Sequence, residues 1–466
     1  TLGRAFDAST TQLQWIVDAY TLVFAVLMLP GGYLGDRVGR RKILITGLLG
    51  FAVVSSVSAM TTHITVLIGL RVLLGICAAL VFPATLSLIS TIFKGTKHHA
   101  LAVGLWAATA GLGIALGPVV GGLLLEHFEW PSLFWINIAI VLPVAAISSF
   151  LVPESRSNKL GRFDAVGMCL AIAALGLFVG SIIEGPQLGW TTLPILGGLA
   201  TSILLAGAFM AWEKQVDSPM LDLSLFRASN VATCSSAIGL AFFSLFGFTF
   251  TITIYFQAVR GYSALQAGLA ILPFAVVMGA CSPLAPVLAR RFGTGRCVPF
   301  GIALMGIGFW IVSFADATNP YWAVMVPAMI FMAMGLAFAQ GPATDIILSA
   351  APSDEIGVAS GVNDSIREIG GTIGVAVLGS ILTHVYRDQM STMTSTTPSL
   401  SAAGDSIMAA QQIAATLPEG AQQMALRTTA SEAFLSALHL NCLILTGIML
   451  VASVLIAFKF VRNARH

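Results

Sequence analysis

Gly32-Tyr33-Leu34-Gly35-Asp36-Arg37-Val38-Gly39-Arg40-Arg41-Lys42 is a short charged turn between two long apolar runs. Gly39 permits a tight reversal. Asp36 stands just ahead of the second run, placed to face the positive N-terminal end of a helix or a neighbouring arginine. The basic residues anchor at anionic headgroups. A turn of this kind joins membrane-spanning helices, and the rest of the chain repeats the pattern.

Of 466 residues, 57% are hydrophobic and only 9% are charged. Soluble domains carry about 25% charged residues. So little charge over so long a chain fits a lipid solvent, where side chains face hydrocarbon or another helix. The net charge of +2 excludes the dense basic patch that a nucleic-acid partner would want. The six cysteines are scattered and never form a CxxC, so they read as small apolar fillers, not as metal ligands or disulfides.

A spanning helix needs roughly 20 apolar residues. Such runs fall at 13–34, 43–60, 64–93, 101–124, 132–152, 164–183, 191–212, 232–256, 265–289, 297–315, 321–349, 359–384 and 433–458, thirteen spans in all. With the 36–42 turn set as cytoplasmic and the sides alternating, 17 of the 23 lysines and arginines lie inside, four outside and two within spans. That asymmetry obeys the positive-inside rule and puts the C-terminus in the cytoplasm. Thr1 then lies outside, and the polar Ala5–Gln14 segment reads as a loop after an earlier helix. One more span is predicted upstream, making fourteen.

The spacing G-x-L-x-D-R-x-G-R-R-K resembles the signature loop of the major facilitator superfamily. The resemblance implies an all-α polytopic membrane protein with two six-helix bundles and, here, an inserted helix pair. The expected parts are 1–153 (a bundle lacking its first helix), 154–215 (the inserted pair), 216–230 (a cytoplasmic amphipathic linker) and 231–466 (the second bundle). An extracellular segment, 385–432, is either a loose loop or a helical hairpin, with partial helix favoured over 402–415 by good helix formers. In the family the loop is a conformational latch, which falls here on Gly32, Asp36, Arg37, Gly39, Arg40 and Arg41.

Arg71 is the costliest residue to place. An arginine inside a span costs about 2.5–3.5 kcal/mol on insertion scales. Two readings stand: a structural ion pair, or a charge that tunes a nearby carboxyl for proton binding. The family carries a matching arginine linked to proton coupling, whose usual acidic partner lies in the first helix.

On the fourth visible span, Gly113, Gly117 and Gly121 recur every four residues and make a smooth face for close packing. Pro118 bends the helix. With Gly122, the pattern resembles the superfamily's antiporter signature, which implies export.

The stretch Gly361-Val362-Asn363-Asp364-Ser365-Ile366-Arg367-Glu368 sets Asp364, Arg367 and Glu368 on one helix face. It reads as a wet cytoplasmic mouth or as part of a translocation route. It resembles the fourteen-helix drug:proton antiporter subfamily, as does Trp15-Ile16-Val17-Asp18-Ala19-Tyr20. Asp18 and Asp345 are further acids within spans, each either a carboxyl that can carry a proton or a polar residue near a helix end. Asp345 follows Gln340-Gly341-Pro342, a place for a kink. The aromatic run around Phe246 either lines a drug cavity through cation–π contact or packs.

The resemblance implies a proton-driven exporter of hydrophobic, often cationic compounds, in which bundles rock about a midplane site. Export of a lipid or a dedicated native metabolite is the alternative. No enzyme activity is expected: His384 and His439 stand without catalytic partners, and no phosphate-binding loop is present. No cofactor is implied beyond protons as coupling ion. The expected partners are small hydrophobic or cationic substrates and membrane lipids. The expected state is a monomer, and the expected location a plasma membrane, here a bacterial inner membrane.

Overall fold

In lipid a backbone N–H or C=O has no water to bond, so a spanning segment must satisfy its own groups as a helix. The computed structural model describes residues 6, 10–156, 164–217, 219, 229–352, 356–396, 403–404, 406–418 and 420–463, with backbone alone at 17–18, 110–112, 114–115, 118 and some others. The first helices are α1 (Thr10–Val38), α2 (Arg40–Met60), α3 (Ile64–Ile92), α4 (His99–His127) and α5 (Ser132–Leu151). The pair α6 (Ala165–Leu188) and α7 (Leu193–Glu213) follows. Next come α8 (Ser229–Ile254), continued by a π-turn at Tyr255–Val259, and the short α9 (Ala264–Leu269), α10 (Leu272–Cys281) and α11 (Ala285–Phe292). Finally come α12 (Thr294–Val312), α13 (Tyr321–Ala350), α14 (Ile356–Thr396), α15 (Ile407–Thr416) and α16 (Ala421–Asn463).

Among the described residues, 11 helices are long and apolar enough to cross a membrane, or 12 with one bent span. α4 adds a helix of 29 residues whose described apolar stretch is His99–Thr109. All thirteen expected spans thus fall on helices, and the chain is a multi-pass membrane protein.

One expectation changes. The span expected at 265–289 is broken, with its two arms bent by 50°. Pro283 and Pro286 lack the N–H a continuous helix needs there. Of the two readings of 385–432, the described residues follow the helical one: α14 continues to Thr396, α15 covers 407–416 and α16 starts at Ala421. Tyr386 donates to the Ala403 carbonyl at 3.0 Å, and Gln411 donates to the Ala258 carbonyl of the π-turn at 3.2 Å. Helix formers such as Ala, Gln, Met and Arg carry the helices past the apolar limit. The amphipathic linker expected at 216–230 lies largely outside the described residues.

The chain divides into two compact units. The first comprises 1–106, 120–238 and 343–369; the second comprises 107–119, 239–342 and 370–466. The division cuts α4, α8, α13 and α14.

Close packing within each unit runs through glycines, but not those expected. Among the described residues, a Cβ at Gly113 or Gly117 would meet nothing within 4 Å, and one at Gly121 only Leu133. The four-residue glycine seam that does pack is Gly370 and Gly374 of α14, pressed on the backbone of Gly239 and Phe243 of α8. In the first unit, Gly31 of α1 lies on the Ala79 carbonyl of α3, whose intrahelical donor is absent because residue 83 is proline. Gly32 and Gly361 bring α1 and the start of α14 together.

The inserted pair belongs to the first unit. Ala171 of α6 and Phe209 of α7 share a core with Leu29, Tyr33, Val358 and Val362. Asp164 caps α6 by accepting from the Gly167 N–H at 2.8 Å and from Trp212 Nε1 at 2.9 Å. Its own N–H donates to the Tyr33 hydroxyl at 3.1 Å. Tyr33→Phe leaves that buried N–H without its acceptor, at an expected cost of about 1–3 kcal/mol. Thermal unfolding in detergent should show a lower midpoint, and an unchanged midpoint would refute the clamp.

Candidate functional site

Two constructions in the first unit are built from charged side chains that the membrane would otherwise exclude. The first is the turn after α1. Gly39 adopts φ 125°, a conformation that side chains with a Cβ rarely take. This reversal starts α2 with Arg40, which is only 1% exposed. Arg40 Nε donates to Asp36 Oδ1 at 2.8 Å, and its Nη1 donates to Thr91 Oγ1 of α3 at 2.6 Å. The Asp36 carboxylate also accepts the N–H groups of Gly357 and Val358, each at 2.9 Å. Those are orphan donors at the start of α14, where a negative charge is favoured. Glu154, after α5, accepts the Arg41 N–H at 3.2 Å, and Arg41 Nη1 donates to the Val152 carbonyl at 3.1 Å. Gly32 lies against Gly357, so close that a Cβ would overlap its carbonyl. Arg37 is half-buried at the rim. Of the six residues of the expected latch, Gly32 and Asp36 thus meet the helix start of α14, while Gly39, Arg40 and Arg41 face Glu154, Thr91 and Val152.

The second construction runs deeper. Arg71 of α3 donates from Nε to the Ile16 carbonyl at 2.6 Å, and its guanidinium lies 4.5 Å from the Tyr20 ring centroid. Tyr20 stacks on Phe24 at 5.6 Å. Phe24 meets Phe82 edge to face at 5.8 Å, and Phe82 meets Trp106 at 5.5 Å. Trp106 Nε1 is held by Thr85 Oγ1 at 3.1 Å. At the far end of this ladder Arg367 of α14 lies 5.6 Å from the Phe82 ring and 5.0 Å from Trp106. An arginine thus closes each end of a chain of four aromatic rings.

Arg367 also faces acids of its own helix. Its Nη1 stands 3.5 Å from Asp364 Oδ1, an ion pair at the long end of the range. Asn363 donates to the same oxygen at 3.1 Å and accepts from Thr344 at 3.2 Å. Asp364 and Asn363 are wholly buried, and Asp364 Oδ2 has no hydrogen-bond partner among the described residues. Glu368 is half-buried one turn on, within electrostatic reach of Arg367 and Tyr20. Ser360 fixes α14 to α3 by donating to the Pro83 carbonyl at 3.0 Å.

The structure therefore brings together Tyr20, Arg71, Asn363, Asp364, Arg367 and Glu368. Phe24, Phe82, Thr85, Trp106 and Thr344 complete the group and were not expected. They come singly or in pairs from α1, α3, α4 and α13, so no local spacing marks them; only the adjacent Phe82-Pro83 offers a signal.

Other expected residues stand apart. Trp15 is 38% exposed. The Asp18 side chain lies outside the described residues, as does that of Pro118. Asp345 is five residues from the end of α13, and its half-exposed carboxylate pairs with His99 Nδ1 at 3.0 Å, so it does not join the buried acids. α13 runs unbroken through Gln340, Gly341 and Pro342. Gln340 is buried, with both amide atoms unpartnered among the described residues. Gln340 and Phe246 belong to the second unit. Phe246 packs on Phe242 at 5.7 Å and against Gly371, whereas Phe250 is 41% exposed and Phe248 is buried on Phe309. The aromatic run thus points several ways and forms no single lining. Gly113 and Gly117 are exposed on α4, with Gly121 and Gly122 half-buried beyond them.

In the second unit an apolar cavity of about 750 Å³ opens at the break between α9 and α10, lined by Tyr262, Gln266, Pro273, Tyr321 and Trp322. The Tyr321 hydroxyl donates to the Ala270 carbonyl at the break, at 2.8 Å. Among the described residues no three His, Cys, Asp or Glu side chains converge as metal ligands would.

Comparison with known proteins extends this picture. The family profile described as Major Facilitator Superfamily matches residues 1–375. The chain is 35% identical over 462 residues to the multidrug efflux pump LfrA of Mycolicibacterium smegmatis, covering 99% of this chain and 91% of that protein. It is also 35% identical over 385 residues to the multidrug resistance protein Stp of Mycobacterium tuberculosis, covering 82% of this chain and 71% of that protein. The human organic anion transporter MFSD10 (TETRAN) has a similar fold, with a TM-score of 0.59 and 15% sequence identity over 92% of this chain and 83% of that one.

Proposed function

The chain belongs to the Major Facilitator Superfamily, and from that premise we propose that it is a proton-coupled exporter of hydrophobic, often cationic compounds, working by alternating access. The observation that carries this reading is the group of buried Asp364 and Arg367 with half-buried Glu368, set in a membrane span with the guanidinium over the faces of Phe82 and Trp106. Titratable groups inside a bilayer are costly and serve ion or proton pathways far more often than structure alone. Ring faces attract cations. The relatives named as a multidrug efflux pump and a multidrug resistance protein support the same cargo class.

In this proposal protons are the coupling ion and no cofactor or catalytic step is involved. Arg71, Asp18 and Asp345 stand as candidates for coupling beside the buried trio, and the 36–42 turn as the conformational latch. The arginine-rich turn and the C-terminus face the cytoplasm of a bacterial inner membrane, and the unit of function is a monomer in contact with lipid. A membrane potential supplies about 2.3 kcal/mol per charge per 100 mV. One or two entering protons then sustain roughly a 50- to 2,500-fold outward gradient of an uncharged cargo, whereas a monovalent cation, whose own exit offsets one charge, needs two protons for about 50-fold from the potential alone.

The test is ethidium movement in liposomes carrying the full-length protein, with and without an imposed pH gradient. Gradient-dependent movement, abolished by an uncoupler, is expected. Its absence in folded protein overturns the cargo assignment and makes a lipid or a dedicated metabolite the next cargo to measure.

A further inference from the structure

The guanidinium of Arg367 occupies the place a cationic cargo would want. It stands over the faces of Phe82 and Trp106 while reaching Asp364 only at 3.5 Å. A planar guanidinium and a planar aromatic cation use a ring face in the same way. Phe82 and Phe24 are half-buried, whereas Trp106 is buried, so a cargo reaches its face only by displacing the guanidinium. Trp106 is oriented by its bond to Thr85, and Thr85 Oγ1 in turn donates to the Phe82 carbonyl at 2.7 Å. Trp106 is thus anchored to α3 one turn from Phe82, whereas Arg367 is a long side chain shared between the rings and the acids.

We propose that a flat cationic cargo and Arg367 exchange places on the Phe82–Trp106 faces, and that the displaced guanidinium moves onto Asp364 and Glu368 and replaces a proton bound there. Cargo loading at the ladder is thereby linked to proton release, through one side chain rather than through a shared site. The inference rests on the exporter reading and names its cargo: planar aromatic cations, held by ring faces, in preference to compact aliphatic ammonium ions.

The proton balance is simple. Before loading, the acid pair holds a proton, and Arg367 lies on the rings. After loading, the guanidinium balances one of the two carboxylates, the cargo cation balances the other, and the proton passes to water. Among the described residues, the charged and titratable groups facing the trio are Tyr20 from α1, which senses Glu368, and Arg71 from α3 behind Tyr20. Asn363 beside Asp364 carries no charge, and α4 presents Trp106 to the guanidinium. The Asp18 side chain on α1 lies outside the described residues.

The experiment is calorimetric titration of the full-length protein in detergent with ethidium, run in two buffers of different ionisation enthalpy so that released protons are counted. Wild type should release protons on binding. Trp106→Leu should bind about 5- to 30-fold more weakly, and Trp106→Phe, which keeps a ring face, within about threefold of wild type. Arg367→Met should bind at least as tightly as wild type, because the internal competitor is gone, yet release no proton. Arg367→Gln, flat and uncharged, is read the same way should the methionine variant not accumulate. A residue with only a packing role would not tighten cargo binding when replaced.

Equal affinity in wild type and Trp106→Leu, absent proton release in wild type, or undiminished release from Arg367→Met would each overturn the exchange. Gradient-driven ethidium export that Trp106→Leu leaves intact removes this seat alone. Wild type that moves no ethidium in liposomes removes the exporter reading itself.

Discussion

Asp364→Asn is expected to reduce pH-gradient-driven ethidium export to the background of empty liposomes, while the protein remains folded. The amide matches the carboxyl in shape and keeps a hydrogen-bonding contact with Asn363, so the wholly buried site stays filled. Glu368 remains to neutralise Arg367. The amide cannot exchange a proton, and the loss of a transfer group of this kind costs on the order of 100-fold or more. Cargo exchange without a pH gradient needs no net proton movement and should persist. Full gradient-driven export by Asp364→Asn would remove Asp364 as the carrier and leave Glu368 as the acid to replace.

Asp36→Ala should be the most destabilising single change in the latch. It strips a buried Arg40 of its carboxylate and leaves the N–H groups of Gly357 and Val358 without an acceptor. Breaking a buried pair by removing one partner costs about 3–5 kcal/mol, whereas replacing both partners with apolar groups is far cheaper. Asp36→Leu combined with Arg40→Met should therefore recover a large part of the stability lost in Asp36→Ala. Both are read by thermal unfolding in detergent. Recovery of stability need not restore transport, because the double variant still lacks the acceptor for α14. A double variant no more stable than Asp36→Ala would show that the carboxylate stabilises through α14 and not through Arg40.

Much of the fold is written in the chain because lipid enforces one rule: a run of about 20 apolar residues must be a helix. That rule says where a helix enters hydrocarbon and nothing about where it ends beyond it. α14 and α16 therefore outrun their apolar segments, into a stretch whose Ala, Gln and Arg residues favour helix in water as well. The break at α9–α11 was visible in Pro283 and Pro286, but a span length alone hides it.

Glycine spacing was informative in a narrower way. A four-residue repeat states that a smooth face exists and is silent about what meets it, so Gly113 and Gly117 looked equivalent to Gly370 and Gly374. Only the packed structure separates them. Charged groups in spans were easily found, because each is rare and costly. Their aromatic counterparts were not. Phe82 and Trp106 are two apolar residues among many, and their importance arises from where α3 and α4 set them against Arg367.

The bond from Gly357 to Asp36 joins residues 321 positions apart. Ribosomes add about 5–20 residues per second. The turn at 36–42 is thus synthesised tens of seconds before the helix start that completes it. During that interval Arg40 is the partner Asp36 has at hand, and the face of α1 around Gly32 awaits its neighbour. Assembly of the first unit is in this sense a late event of biosynthesis, although most of its residues emerge early. A ribosome that stops before Ile356 leaves behind more than a chain short of its last spans: the earliest-made half is itself unfinished, with a buried carboxylate still lacking the amides that seat it.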